Sequence, residues 1–205
     1  MRKILSDCDG VLLDWNTAFE KWMKFHFEQV VQNRTEYNIV HRYPESDLTQ
    51  YLYTHHSLYL PRLFCNSSRI GSLKPLRDSV LYTRKLYEEF GITIDVVTSH
   101  STDPESVRLR HENLKRHFGD AIDRIITLDT GAPKDEALKE WEGTGLIWVE
   151  DVPQNAVLGA ELGLTTWLMD QEYNTDFKPE NNLNIRRAYW WKDIYDYVKE
   201  QIHGS

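Results

Sequence analysis

Short apolar runs alternating with helical stripes predict an α/β fold: a parallel sheet covered on both faces, with a small helical insert after the first strand. Three observations carry that expectation. From residue 73 onward, strand-like runs alternate with amphipathic segments, a rhythm that calls for right-handed crossovers between parallel strands. The first run, Lys3-Ile4-Leu5, climbs directly to Asp7-Cys8-Asp9-Gly10. Between Trp15 and Ser72 the rhythm breaks, and no strand pattern occurs.

After the first strand, four further runs read as strands: 92–97, 124–128, 146–149 and 165–169, each short, apolar and rich in β-branched or aromatic residues. Val80, Thr83, Tyr87 and Phe90 form a helical stripe that Gly91 closes. Asp103-Pro104-Glu105 reads as an N-cap, a proline at the first helical position and an acid in the first turn. Val107, His111, Leu114 and Phe118 then supply the buried face, and Gly119 stops the helix. A third helix starts at Pro133, and a fourth spans 153–162 before Gly163. The last covers 192–202, with Ile194, Tyr197 and Val198 inward.

The stretch 15–72 is read as the insert, and 1–14 with 73–205 as the core. Trp15, Phe19, Trp22, Met23, Phe25 and Phe27 make an aromatic-rich helix. Tyr43-Pro44 and Leu60-Pro61 punctuate a further helical piece at 47–58. In open parallel sheets, ligands bind beyond the carboxyl ends of the strands. An insert placed there sits over that crevice and can close on it; the plainer alternative is a surface excursion with no gating role.

Composition narrows the function. The 205 residues, 40% apolar, are enough for one domain with a small insert. A net charge of −8 argues against holding nucleic acid on a wide basic surface, and no stable nucleic-acid binding is expected. A small anionic substrate remains compatible, since a bound cation reverses the local field. Cys8 and Cys65 have no metal-ligand spacing and fit a reduced setting better than a disulfide scaffold. With no signal-type segment and no membrane-length apolar run, the expected location is the cytoplasm. Oligomeric state is not legible.

In a strand, residues i and i+2 share a face. If strand geometry persists to the end of the first run, Asp7 and Asp9 point the same way and Cys8 points opposite, into the core. Two carboxylates held that close need a cation, a shared proton or solvent. Alone, the motif reads equally as a hydrated acidic turn. Thr98-Ser99 closes the second strand, Lys134 opens a helix after Gly131-Ala132-Pro133, and Glu150-Asp151 closes a later strand. Each has a plain reading: a helix cap, a solvated lysine, acids favouring the next helix's N-terminus. Their shared position at strand exits is what links them.

This order, Asp7-x-Asp9-Gly10-Val11, then Thr98-Ser99, then Lys134, then Glu150-Asp151, resembles the haloacid dehalogenase (HAD) superfamily of phosphohydrolases. The resemblance implies a Rossmann-like three-layer sheet with a helical cap inserted after the first motif, and Mg²⁺-dependent phosphoryl transfer. Carried over by position, Asp7 is the nucleophile and a metal ligand. Asp9 is the general acid/base and binds metal through its backbone carbonyl. Thr98, with Ser99 beside it, takes the phosphoryl oxygens, Lys134 neutralises them, and Asp151 completes the metal site. Glu150 fills a slot often held by Gly or Asp, and Asn155 stands where many members have another acid. Both departures leave the outer metal shell open.

The chemistry agrees with the resemblance. A carboxylate attacks an anionic phosphate ester only if the phosphoryl charge is neutralised. Hard oxygen ligands without His or Cys suit Mg²⁺. An aspartyl-phosphate on Asp7 splits the reaction in two, while Asp9 protonates the leaving oxygen and then activates water. That second carboxylate argues against a dehalogenase, whose halide leaves without a proton. The Asp-Cys-Asp-Gly-Val-Leu-Leu-Asp opening and adjacent acids look most like 5′-nucleotidases of the deoxyribonucleotidase type, with phosphosugars as the alternative substrate class. Trp15, Phe19 and Trp22 either stack a base or form the insert's core. A phosphotransferase and a silent binding domain are the remaining readings. Arg186-Arg187 with Trp190-Trp191 is read as a packed C-terminal closure.

Overall fold

The computed structural model describes residues 3–26 and 59–204. Six parallel strands form one sheet: β1 (Lys3–Ser6), β2 (Thr93–Ser99), β3 (Ile122–Leu128), β4 (Ile147–Glu150), β5 (Thr165–Met169) and β6 (Ile185–Ala188). Their spatial order is β3-β2-β1-β4-β5-β6. The chain therefore winds outward from β1 in one direction, returns, and winds outward in the other. The crevice at such a reversal, beyond the carboxyl ends of the strands, is where doubly wound sheets bind ligands. Here it opens between β1 and β4, paired Leu5 to Trp148 and Ser6 to Val149.

Period-two alternation sorts the sheet's side chains onto two faces. Ile4, Val96 and Val149 enter one apolar cluster, with Leu114, Phe118, Trp191 and Ile194. Their neighbours Leu5, Val97 and Trp148 enter the other, with Leu138, Trp141 and Leu164. Helices cover both: α3 (Ser79–Phe90), α4 (Pro104–Phe118), α5 (Asp135–Leu138), α6 (Pro153–Glu161) and α7 (Trp191–His203). Before them stand α1 (Trp15–His26) and α2 (Tyr59–Cys65). Gly91 caps α3 in the left-handed conformation, and the Asp103 side chain accepts from the Ser106 N–H at the start of α4, as the sequence predicts.

Several expectations need correction. β2 continues to Ser99 and β3 begins at Ile122, both longer than their apolar runs. The strand β6 was not anticipated, because Ile-Arg-Arg-Ala has no apolar run. It pairs with β5 at the sheet edge, with Arg186 over the rings of Trp167 and Tyr197. Trp191 is packed in the core whereas Trp190 is exposed. On α3 the buried face is Ser79, Thr83 and Leu86, and Tyr87 lies outside it. On α4 it is Ser106, Arg110, Asn113, Leu114 and Phe118, so Val107 and His111 lose their expected place to three polar residues. Helix α5 starts at Asp135 rather than Pro133. Leu60-Pro61 falls inside α2, where proline in the first turn sacrifices no helical hydrogen bond. Phe27, Tyr43-Pro44 and the piece at 47–58 lie outside the described residues.

Candidate active site

The strand ends at Ser6, one residue before the first acid. Asp7 still donates its N–H to the Val149 carbonyl (2.8 Å), which pins it beside the end of β4. The chain then turns sharply, with Leu12 and Leu13 both donating to the Cys8 carbonyl (2.9 Å each) and Gly10 at φ +76°. Glycine is required at position 10 twice over. The left-handed backbone favours it, and a Cβ there would fall inside the Asp151 carboxylate.

This turn corrects the expected geometry, because the two acids of the first motif meet different cations. Asp7 faces the Lys134 ammonium at 2.8 Å. Asp9 is gripped at both oxygens by the Arg110 guanidinium, at 2.5 and 2.9 Å. Cys8 is not opposite to Asp9 in partnership, since the same Arg110 lies 3.0 Å from its sulfur. The thiol is buried as expected, and burial pushes its pKa up, so it stays protonated.

Lys134 is no solvated surface lysine. It is 3% exposed, with its ammonium 2.8 Å from both Asp7 Oδ1 and Glu150 Oε2 and 5.3 Å from the centre of the Trp148 ring. Glu150 is fully buried and also accepts from the Asp151 and Val152 N–H groups, each at 3.0 Å. Burial would raise its pKa, yet Lys134, the adjacent Asp151 side chain and the Val152 N–H together outweigh burial and hold the carboxylate below its ordinary value. Asp7 and Asp151 go the other way. Burial raises both, and the charges of neighbouring acids add to the rise; at Asp7 this exceeds the opposing pull of Lys134. Burial likewise raises Asp9, which Arg110 offsets only in part.

Oxygens of Asp7, Glu150 and Asp151 lie within 4.8 Å of one another. Three buried carboxylates thus face one ammonium, an excess of two negative charges when all are ionised. Asp151 Oδ2 accepts from the Tyr173 hydroxyl, whereas Oδ1 is buried with no partner among the described residues. A buried carboxylate oxygen left bare is costly. The donor set, all carboxylate and two charges in excess, fits a hard dication such as Mg²⁺. Asp7, Asp151 and Glu150 are the residues that could hold it.

The hydroxyls at the end of β2 divide. Thr98 is buried two residues beyond Val96, the partner of Ser6, and so stands level with the first motif. Ser99 spends its hydroxyl on the Ala132 carbonyl (2.7 Å), tying β2 to the loop that carries Lys134. His100, also buried, meets Arg110 through Nδ1 and the Ser106 carbonyl through Nε2, both at 3.4 Å. Burial, reinforced by Arg110, drops its pKa to about 3, so it is neutral.

Arg110, Gln171, Tyr173 and Asn174 had no sequence signal. Arg110 shares its helix face with Ser106 and Asn113, a polar stripe indistinguishable from a solvated one until the fold buries it. Trp15 and Phe19 stack on each other at 4.6 Å and pack edge-on to Phe64, all buried. Those two rings are core, not a platform for a base.

No protein-family model matches the chain, and no curated protein matches it in sequence. Solved structures do match over nearly its full length. A HAD-superfamily hydrolase from Ehrlichia chaffeensis is 17% identical, with 98% of this chain and 99% of that one covered at a TM-score of 0.56. The D,D-heptose 1,7-bisphosphate phosphatase of B. bronchiseptica, complexed with magnesium and phosphate, is 13% identical at 98% and 99% coverage and a TM-score of 0.57. A predicted phosphatase from Clostridium acetobutylicum is 13% identical at 97% and 98% coverage and a TM-score of 0.66. Dehalogenases are among the other matches. At these identities the likeness concerns architecture, and its content is plain: the chain has the fold of HAD-superfamily hydrolases.

Proposed function

We propose that this protein is a Mg²⁺-dependent phosphatase that hydrolyses a small phosphomonoester through an aspartyl-phosphate on Asp7. The observation that carries the reading is the buried cluster of Asp7, Glu150 and Asp151 around Lys134, assembled where the strand order reverses. When bound, Mg²⁺ would supply neutralisation of phosphoryl charge next to an anionic nucleophile. The chain's own groups do the rest. Lys134 holds Asp7 in place and offers its ammonium to the incoming phosphoryl group, and Thr98 donates to a phosphoryl oxygen. Asp7 attacks phosphorus as the alkoxide leaves. Asp9, held beside Arg110, protonates that oxygen and then takes a proton from the water that cleaves the acyl-phosphate. A halide would need no such acid, which favours phosphatase over dehalogenase.

Residues 15–72 are proposed as the cap over this site. Support comes from Arg62 of α2, which reaches both oxygens of Asp129, in the loop leading to Lys134, at 3.2 and 3.0 Å. Asn66 likewise accepts from Ser101 (2.6 Å), just beyond β2.

The proposed substrate class is a (deoxy)nucleoside monophosphate, on the resemblance of the first and fourth motifs. Because Trp15 and Phe19 are packed inward, base recognition would fall to other residues. A sugar phosphate is the second reading, favoured by the heptose bisphosphate phosphatase among the structural neighbours. Asp7→Asn should abolish Mg²⁺-dependent phosphate release; turnover unchanged in that variant would refute the mechanism. Release compared across nucleoside monophosphates and sugar phosphates decides between the classes.

A further inference from the structure

Asp151 is held by a segment that no site motif contains. Tyr173 donates its hydroxyl to Asp151 Oδ2. Asn174, 1% exposed, donates through Nδ2 to the Asp151 carbonyl (2.7 Å) and to the Met169 carbonyl (2.9 Å), joining the ends of β4 and β5. Gln171 Nε2 donates to the Gly10 carbonyl at 2.6 Å, closing the segment over the first motif. Behind these stands Arg187 of β6. Its Nη1 donates to Asn174 Oδ1 (2.9 Å) and Asp170 Oδ1 (2.7 Å), and its Nη2 to the Asn174 carbonyl (2.9 Å).

The two oxygens of Asp151 are therefore unequal. Oδ2 is enclosed by Tyr173 and by the space that Gly10 leaves open, while Oδ1 has no partner among the described residues. We propose that Gln171, Tyr173 and Asn174, held from behind by Arg187, are a positioning brace that fixes Asp151 with Oδ1 as its cation-binding oxygen. Mg²⁺ affinity then depends on Arg187, whose hydrogen bonds go to Asp170, Asn174 and Phe177 and to none of the three clustered carboxylates. This rests on the metal reading given above. Its physical basis is that groups orienting a ligand remove the freedom the ligand would otherwise lose on binding, and losing such a group weakens metal affinity roughly 10- to 100-fold.

The test is calorimetric titration of MgCl₂ into the unaltered protein, Tyr173→Phe, Arg187→Met and Arg187→Lys, with circular dichroism to confirm folding. Tyr173→Phe and Arg187→Met should each weaken Mg²⁺ binding by about 10-fold, and Arg187→Lys should recover part of the loss. Should Arg187→Met fail to fold, Tyr173→Phe, which removes a single hydroxyl, decides alone. Mg²⁺ bound undiminished by the folded variants, even with lowered melting temperatures, would make these residues merely structural and overturn the brace. No Mg²⁺ binding by the unaltered protein would overturn the metal reading itself, and the brace with it.

Discussion

Arg110 carries an unusual burden for one side chain. Its guanidinium is wholly buried and meets Asp9, the Cys8 sulfur and His100 together. Its Nε has no partner among the described residues. Such a charge is tolerable only because Asp9 opposes it, and breaking a buried pair from one side typically costs about 3–5 kcal/mol. Arg110→Met should therefore lower the unfolding free energy by several kcal/mol in urea titration. A loss below about 1 kcal/mol, the range of exposed pairs, would show that the pair is well solvated. The sequence around Arg110 could not announce this. An arginine between Leu109 and His111 on an amphipathic helix has the pattern of a surface residue, and only the approach of the first-motif turn gives it a carboxylate.

At the level of elements, helix α6 shows how closely the layers are fitted. Gly159 lies on the face of α6 against β4 and β5, and a Cβ there would overlap the Trp148 indole and sit 3.0 Å from Thr166 Oγ1. Two effects compete in Gly159→Ala. Helix propensity favours alanine by about 1 kcal/mol, and overpacking a rigid core costs roughly 1–3 kcal/mol. Trp148 is fully buried, with its Nε1 donating to the Asn155 carbonyl at 3.2 Å, so it cannot yield. The expected outcome is net destabilisation, read as a lower melting temperature; a rise would mean that the indole can move. The strand exits were legible because acids or hydroxyls end several apolar runs at corresponding places in the strand–helix rhythm. Strand β6 was not, because an edge strand whose arginines are recruited by neighbouring rings and carboxylates has no apolar pattern of its own.

Across the whole molecule, the charge excess at the sheet's carboxyl edge ties stability to pH and, on the function proposed above, to Mg²⁺. Burial raises Asp7 from 3.8 to about 8, and Asp151 moves the same way. For a group raised on folding, its contribution to stability is full below the unfolded pKa and is lost as pH climbs through the folded value. The metal-free protein should thus be penalised by these two acids on the alkaline side of that window. At about pH 6 a cation must displace a proton from Asp7, and at about pH 8 less so. The rise in melting temperature caused by a fixed Mg²⁺ concentration should accordingly be larger at about pH 8 than at about pH 6. A shift independent of pH would show that Asp7 is already ionised in the metal-free protein. The apolar clusters work at the same scale: Trp15, Phe19 and Phe64 of the insert are continuous with Ile4 and Val96 of the core. The base of the insert is thereby fixed to the sheet.

The sequence by itself determined the alternation of strands and helices, the helix caps at Asp103 and Gly91, and the placing of Asp7, Thr98, Lys134 and Asp151 at strand exits. These are local properties, set by period, propensity and turn chemistry, and each can be read within a dozen residues. Tertiary structure alone decided which charges meet. It set Asp9 on Arg110, Lys134 between Asp7 and Glu150, and Asp151 against Tyr173 and Asn174. Such partnerships join segments about a hundred residues apart or more in some cases, and their strength comes from the exclusion of water, which no single segment can bring about.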